Sequence, residues 1–227
     1  MDSSKNILII TAHSDDETLG MGGTIAKHVK NGDKVFAISM TDGVSSRNKS
    51  NQKAIRIRKK SSSQASEILG FTWIDNKNLP DNQLDTVPLL EIIKIIEQYK
   101  KELNPSIIYT HCASDLNIDH KLVCQATLTA FRPLANSTWS EIRTFEIPSS
   151  TDYGHNSVTG NFNPNLFINI KDYWDKKSSA LEKYKDELME YPNSRSLNKI
   201  KFLAEYRGGQ CGLVMAEAFE ILKVIDR

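Results

Sequence analysis

The chain has 227 residues, with 29 Lys and Arg against 28 Asp and Glu and a formal net charge of +1. That length fits one large α/β domain with a sizeable core, and the charge balance argues against the basic stripe of a nucleic-acid binder. Three scattered cysteines without a Cys-x-x-Cys pair argue against a disulfide framework and a thiolate zinc site. No apolar run reaches the roughly 18 residues of a membrane span, and the polar start does not read as a signal peptide, so a soluble protein of the cytoplasm is expected.

Residues 6–11 predict a buried strand, short, branched and uninterrupted. His13-Ser14-Asp15-Asp16-Glu17 follows it directly. Residues 18–30 predict a helix with Leu19, Gly22, Ile25, Ala26 and Val29 on one face, ended by Gly32. Gly20-Met21-Gly22-Gly23 lacks the Gly-x-Gly-x-x-Gly spacing, so close helix packing is its expected use rather than phosphate binding. Residues 34–41 predict a second strand and 42–52 a polar loop near the site. A helix over about 53–69 is stopped by Gly70, and 71–75 predict a short strand.

Leu89, Ile92, Ile93, Ile96 and Leu103 keep the 3.6-residue period of a third helix, stopped by Asn104-Pro105, and 106–110 predict a strand. Strands alternating with helices over this half imply crossovers and a mainly parallel sheet. The second half is less regular. Residues 143–147 and 167–170 predict strands, 148–164 a long loop, 172–191 a charged amphipathic helix and 194–207 another helix, while 216–225 fit either state. Trp139, Trp174 and Tyr153 read more simply as core than as a sugar-stacking wall.

In an open α/β sheet, ligands gather beyond the carboxyl ends of the strands. The first motif offers His13 and one of its aspartates to a metal and leaves a carboxylate for proton transfer. The place to seek a third ligand is residues 111–120, His111-Cys112-Ala113-Ser114-Asp115-Leu116-Asn117-Ile118-Asp119-His120, which also follow a predicted strand. His120 would open a helix with Val123, Cys124 and Thr127 on its inward face, and the period turns His120 inward too. Asp119 is placed to help cap that helix.

Ala12-His13-Ser14-Asp15-Asp16-Glu17 with Leu19-Gly20 and Gly22-Gly23 resembles the His-Pro-Asp-Asp-Glu signature of the LmbE/PIG-L-like N-deacetylases, and 115–120 resemble that family's second motif. Arg58, Thr41-Asp42-Gly43, Arg207-Gly208 and Ala216-Glu217-Ala218-Phe219 are further matches, spread over nearly the whole chain. The resemblance implies a zinc-dependent hydrolase that removes an acyl group, usually acetyl, from the amine of a sugar such as N-acetylglucosamine in a larger conjugate. It implies zinc ligands at His13, Asp16 and His120, a general base at Asp15, and Arg58 holding substrate or structure. Asp119 and Asp115 would support the ligands from behind. Ser14 replaces the usual proline, and Asn117 replaces a histidine assigned to oxyanion stabilisation; Arg58, Asn117 or His111 would serve there.

The expectation is therefore a single α/β domain over residues 1–227, with a Rossmann-like, mainly parallel sheet flanked by helices. Its expected function is Zn2+-dependent removal of an N-acyl group from a small-molecule amino sugar or conjugate, with no nucleic-acid partner and no membrane span; a homo-oligomer is compatible with these features. The rivals are an amidase acting on a thiol conjugate or non-sugar amide, and a metal- or nucleotide-binding module without turnover.

Overall fold

The uninterrupted apolar run of β1 (Asn6–Thr11) is explained by its place inside the sheet, buried on both faces. Ile7 and Ile9 pack into one layer and Leu8 and Ile10 into the other, all with no exposed surface. Each such side chain contributes roughly 1.5–3 kcal/mol by burial. The computed structural model describes residues 4–47 and 52–226; part of the loop expected over 42–52 lies outside the described residues.

After β1 come α1 (Asp16–Lys30), β2 (Lys34–Thr41), α2 (Gln52–Leu69), β3 (Thr72–Leu79) and α3 (Leu89–Leu103). Then follow β4 (Ile107–His111), α4 (Ile118–Ala130), β5 (Glu141–Phe145), α5 (Asn156–Thr159) and β6 (Leu166–Asn169), and finally α6 (Trp174–Leu181), α7 (Leu197–Gly209) and β7 (Ala216–Val224). The strands form one seven-stranded sheet in the order β3-β2-β1-β4-β5-β7-β6. The first five are parallel, and β7 runs antiparallel to both β5 and β6. Side chains of α1, α2, α6 and α7 cover one face, and those of α3 and α4 cover the other. Among the described residues, no helix is long and apolar enough to cross a membrane.

Besides the one-turn helix α5 inside the loop expected over 148–164, three elements differ from the sequence expectation. β3 continues to Leu79, because Asp75, Asn76 and Lys77 interrupt the apolar signal while Asp75, Asn76 and Leu79 still pair with β2, and Asp75 accepts the Tyr99 hydroxyl. The helix expected over 172–191 is helical only to Leu181. A single tighter turn to Tyr184 follows, and the chain then bends so that Glu187 reaches Arg47 and Arg58.

The third difference is in α1, which begins at Asp16 and is kinked at Met21, whose φ/ψ of −147°/22° is not helical. The kink frees backbone groups that side chains from distant elements satisfy. Gly23 and Thr24 N–H donate to the Glu217 carboxylate at 3.0 and 2.6 Å, while Lys177 Nζ donates to Leu19 O at 2.8 Å and to Glu217 at 2.6 Å. The glycines serve close packing, as expected: a Cβ on Gly20 would stand 2.5 Å from Phe145, and one on Gly23 2.7 Å from Ile170.

Candidate active site

The chain leaves β1 for β2 on one side and returns to β4 on the other, so the sheet has a topological switch point between β1 and β4. Such a point opens a crevice at the carboxyl ends of the two strands. The turn after β1 carries His13 and Asp15 into it and α1 opens with Asp16, while the loop after β4 carries Asp115 and Asn117 and the first turn of α4 carries Asp119 and His120.

Asp16 Oδ2 accepts the His13 backbone N–H at 2.8 Å, which folds the turn back on itself. His13 Nδ1 then lies 3.2 Å from Asp16 Oδ2 and 3.2 Å from His120 Nε2, and His120 Nε2 lies 3.5 Å from Asp16 Oδ2. Donor atoms about 2.0–2.2 Å from a tetrahedral zinc stand roughly 3.4 Å apart, so the three atoms are spaced as a zinc site requires. The other oxygen of Asp16 is buried and has no hydrogen-bond partner among the described residues. Burial lowers the proton affinity of His120, but Asp16 and Asp115 outweigh it and hold the group at about 9. Asp16 is held well below the usual carboxylate range, burial being outweighed by the three surrounding histidines.

Carboxylates back both imidazoles. Asp115 lies 3.1 Å from His120 Nδ1 and is itself fixed by Thr151 at 2.7 Å, by Asn117 N–H at 2.8 Å and by Ser150. His13 Nε2 faces Asp81 at 3.0 Å and Asp119 at 3.3 Å, ion-pair contacts of which neither is aligned as a linear hydrogen bond. The Asp119 carboxylate accepts Asn82 and Leu84 N–H at 2.7 and 3.0 Å. His13, Asp81 and Asp119 thus form a second acidic group behind the first. Partners of this kind fix the tautomer and orientation of a metal-binding histidine.

Asp15 stands beside the trio and faces the pocket, its Oδ2 3.2 Å from Arg58 Nη1 and 3.5 Å from Arg195 Nη1. Arg58 also donates to Ser14 O at 3.3 Å and Gly43 O at 3.0 Å, and pairs with Glu187 at 3.2 Å. Gly43, at φ +67°, lets that guanidinium approach, since a Cβ there would meet it at 3.2 Å. Glu17 turns away from the trio and accepts the Tyr184 hydroxyl at 2.9 Å; burial pushes its carboxyl up to about 8.

Two expected roles are corrected. His111 is fully buried, its Nε2 accepts the Ala12 N–H at 2.9 Å, and its ring stacks on His120 at 3.9 Å. Burial and the adjoining His120 push it down to about 3, so it packs beneath the site as a neutral group rather than facing an oxyanion. The cap of α4 is Asn117, whose side-chain oxygen accepts the Asp119 N–H at 2.8 Å, and Asp119 is left to serve His13. Asn117 also lines the pocket, its amide nitrogen donating one hydrogen to Asn82 at 2.9 Å. Trp139 is core, as expected, and Tyr153 is exposed.

Sequence reasoning missed Asp81, Glu187 and Arg195, all of which line the pocket. Asp81 carried a faint signal, Leu79-Pro80-Asp81-Asn82 at the end of a strand. Arg195 and Glu187 carried none, because they come from a segment read as helix.

The PIG-L family model, described as GlcNAc-PI de-N-acetylase, matches residues 8–131. The uncharacterized deacetylase YaiS of Escherichia coli (strain K12) is 31% identical over 187 residues, covering 80% of this chain and 91% of that protein. The probable N-acetyl-alpha-D-glucosaminyl L-malate deacetylase 2 of Bacillus anthracis is 25% identical over 189 residues, covering 80% and 81%. Among solved structures, the N,N'-diacetylchitobiose deacetylase from Pyrococcus horikoshii matches with a TM-score of 0.75 at 23% identity, over 97% of this chain and 85% of that one. GalB, the 4-carboxy-2-hydroxymuconate hydratase of Pseudomonas putida KT2440, matches with a TM-score of 0.77 at 18% identity, over 98% and 99%. One fold thus carries two named reactions, and the choice between them rests on the site.

Proposed function

The chain belongs to the PIG-L family of GlcNAc-PI de-N-acetylases, and from that premise we propose that it is a zinc-dependent hydrolase removing an N-acyl group from an amino sugar or its conjugate. Acetyl is the simplest group, in keeping with relatives named for deacetylating N-acetylated sugars. One observation carries the reading: His13 Nδ1, Asp16 Oδ2 and His120 Nε2 lie 3.2–3.5 Å apart, with the Asp15 carboxylate beside them and outside the set. A module that only bound a metal would need the trio but not Asp15.

His13, Asp16 and His120 would hold the ion. Two imidazole nitrogens and one carboxylate oxygen suit zinc, whereas magnesium is held through oxygen ligands. When bound, zinc supplies an acidified water and polarises the amide carbonyl. Asp15 takes the proton of the attacking water on its carboxylate and returns it to the leaving amine, which departs poorly without one. Arg58 and Arg195, 3.2 and 3.5 Å from its Oδ2, hold that carboxylate in place. Arg58 and Arg195 both line the pocket beside Asp15 and are the donors we assign to the developing amide oxyanion, the Nε of each having no partner among the described residues. Asp115, and Asp81 with Asp119, hold the two imidazoles in place.

The test is acetate release from N-acetylglucosamine, nucleotide-linked N-acetyl sugars and sugar-thiol precursors. Release from at least one is expected, abolished by chelation and restored by zinc. Activity that survives thorough metal removal overturns the proposal.

A further inference from the structure

The pocket over His13 and Asp15 measures about 150 Å³ and is walled by polar side chains. Small-molecule sites usually measure roughly 300–1,000 Å³, so this one holds little more than the acylated end of a sugar. The rest of a conjugate must leave across a wall.

A second hollow of about 300 Å³ is lined by Ile147, Pro148, Phe202, Leu203 and Tyr206, along with the charged Glu146, Asp152 and Lys199. Two stretches of chain contribute neighbouring residues to both hollows. Pro148 of the second precedes Ser149 of the first, and Ser194 of the second precedes Arg195 of the first. Phe202 and Tyr206 stand one turn apart on α7, 51% and 60% exposed. Large apolar side chains grouped at a surface beside a polar pocket mark a binding face. On another wall the paired Arg47 and Glu187 make the rim charged.

From this juxtaposition we infer that the hollow is a second subsite, which takes an apolar aglycone, an aromatic ring or alkyl chain joined to the amino sugar whose amide lies over His13 and Asp15. The inference rests on the proposed deacetylation and narrows its substrate class. Ring faces at Phe202 and Tyr206 give an aromatic aglycone offset-stacked or edge-on contacts. Lys199 Nζ stands 5.8 Å from the Phe202 ring centroid and the Arg207 guanidinium 5.4 Å from that of Tyr206, so a cation covers one face of each ring and the aglycone takes the edges and the opposite faces.

The experiment compares methyl and benzyl N-acetylglucosaminides, in both anomers, on the zinc-loaded protein and on a Phe202→Ser/Tyr206→Ser variant. Both side chains are half-exposed, so the variant is expected to fold, and its far-ultraviolet dichroism and Tm check this. The wild type should prefer the benzyl glycoside in kcat/KM by about tenfold or more in one anomer. The double variant should bring that ratio close to one while turning over the methyl glycoside unchanged. Equal turnover of the two glycosides by the wild type, or a preference that survives in the variant, overturns the subsite. Calorimetric titration separates the two readings. Benzyl glycoside that binds without being deacetylated, and loses that binding in the variant, leaves the subsite standing and removes deacetylation; benzyl binding no tighter than methyl removes the subsite.

Discussion

Behind each imidazole of the trio stands a carboxylate, and the two histidines are served unequally. His120 has Asp115, which hydroxyls and a backbone N–H clamp from three sides. His13 has Asp81 and Asp119, and Asp81 is the nearer at 3.0 Å. Asp81→Asn should therefore weaken zinc binding by roughly 10–100-fold, read by competition with a chromogenic chelator; unchanged affinity would remove Asp81 as a support. Asp15→Asn should do the opposite, keeping full zinc content while lowering kcat by about 10²–10⁴-fold. Unchanged kcat would remove it as the base. His13, Asp15, Asp16 and His120 were legible in the sequence because two acidic-histidine stretches each follow a strand. Asp81, Glu187 and Arg195 were not, since an isolated charge on a bend has no period or spacing to announce it. His111 was misread for a related reason: its place as the last residue of β4 turns it into the core, and spacing alone does not say so.

At the scale of the element, α1 is two short helices joined at Met21 by side chains from α6 and β7. Lys177 and Glu217 are 3% and 4% exposed and form a buried ion pair at 2.6 Å. Removing one partner of a buried pair costs about 3–5 kcal/mol. Glu217→Ala should lose that much in chemical denaturation, and Lys177→Met/Glu217→Ala should recover part of it. A single variant as stable as the wild type would show that the pair does not hold the kink. The sequence showed β1 and α3 clearly, because buried strands and amphipathic helices write a period into the chain. It hid the kink, the polar end of β3 and the early stop of α6, because contacts from residues far away in the chain decide those features.

Across the whole molecule, the site exists only where β1 and β4 lie side by side, so its ligands are brought together by folding and scattered by unfolding. An ion that binds the folded chain alone stabilises it by about 2.7 kcal/mol at 100 times its Kd, which for a chain of this size shifts Tm by about 5–10 °C. A thermal scan in zinc against one in chelator should show that shift, and His120→Ala should abolish it. A shift that persists in His120→Ala would mean that the ion binds elsewhere.

The switch point also divides the chain by task. Every proposed metal ligand and the proposed base lie between residues 13 and 120, on the turns after β1 and β4 and the first turns of α1 and α4. Ile147, Pro148, Phe202, Leu203 and Tyr206, which wall the second hollow, all come later in the sequence. The stretch at 197–206, which carries Phe202 and Tyr206 but not Arg195, is therefore a natural unit to exchange between relatives, a graft that would give a new clientele to a reaction centre left intact.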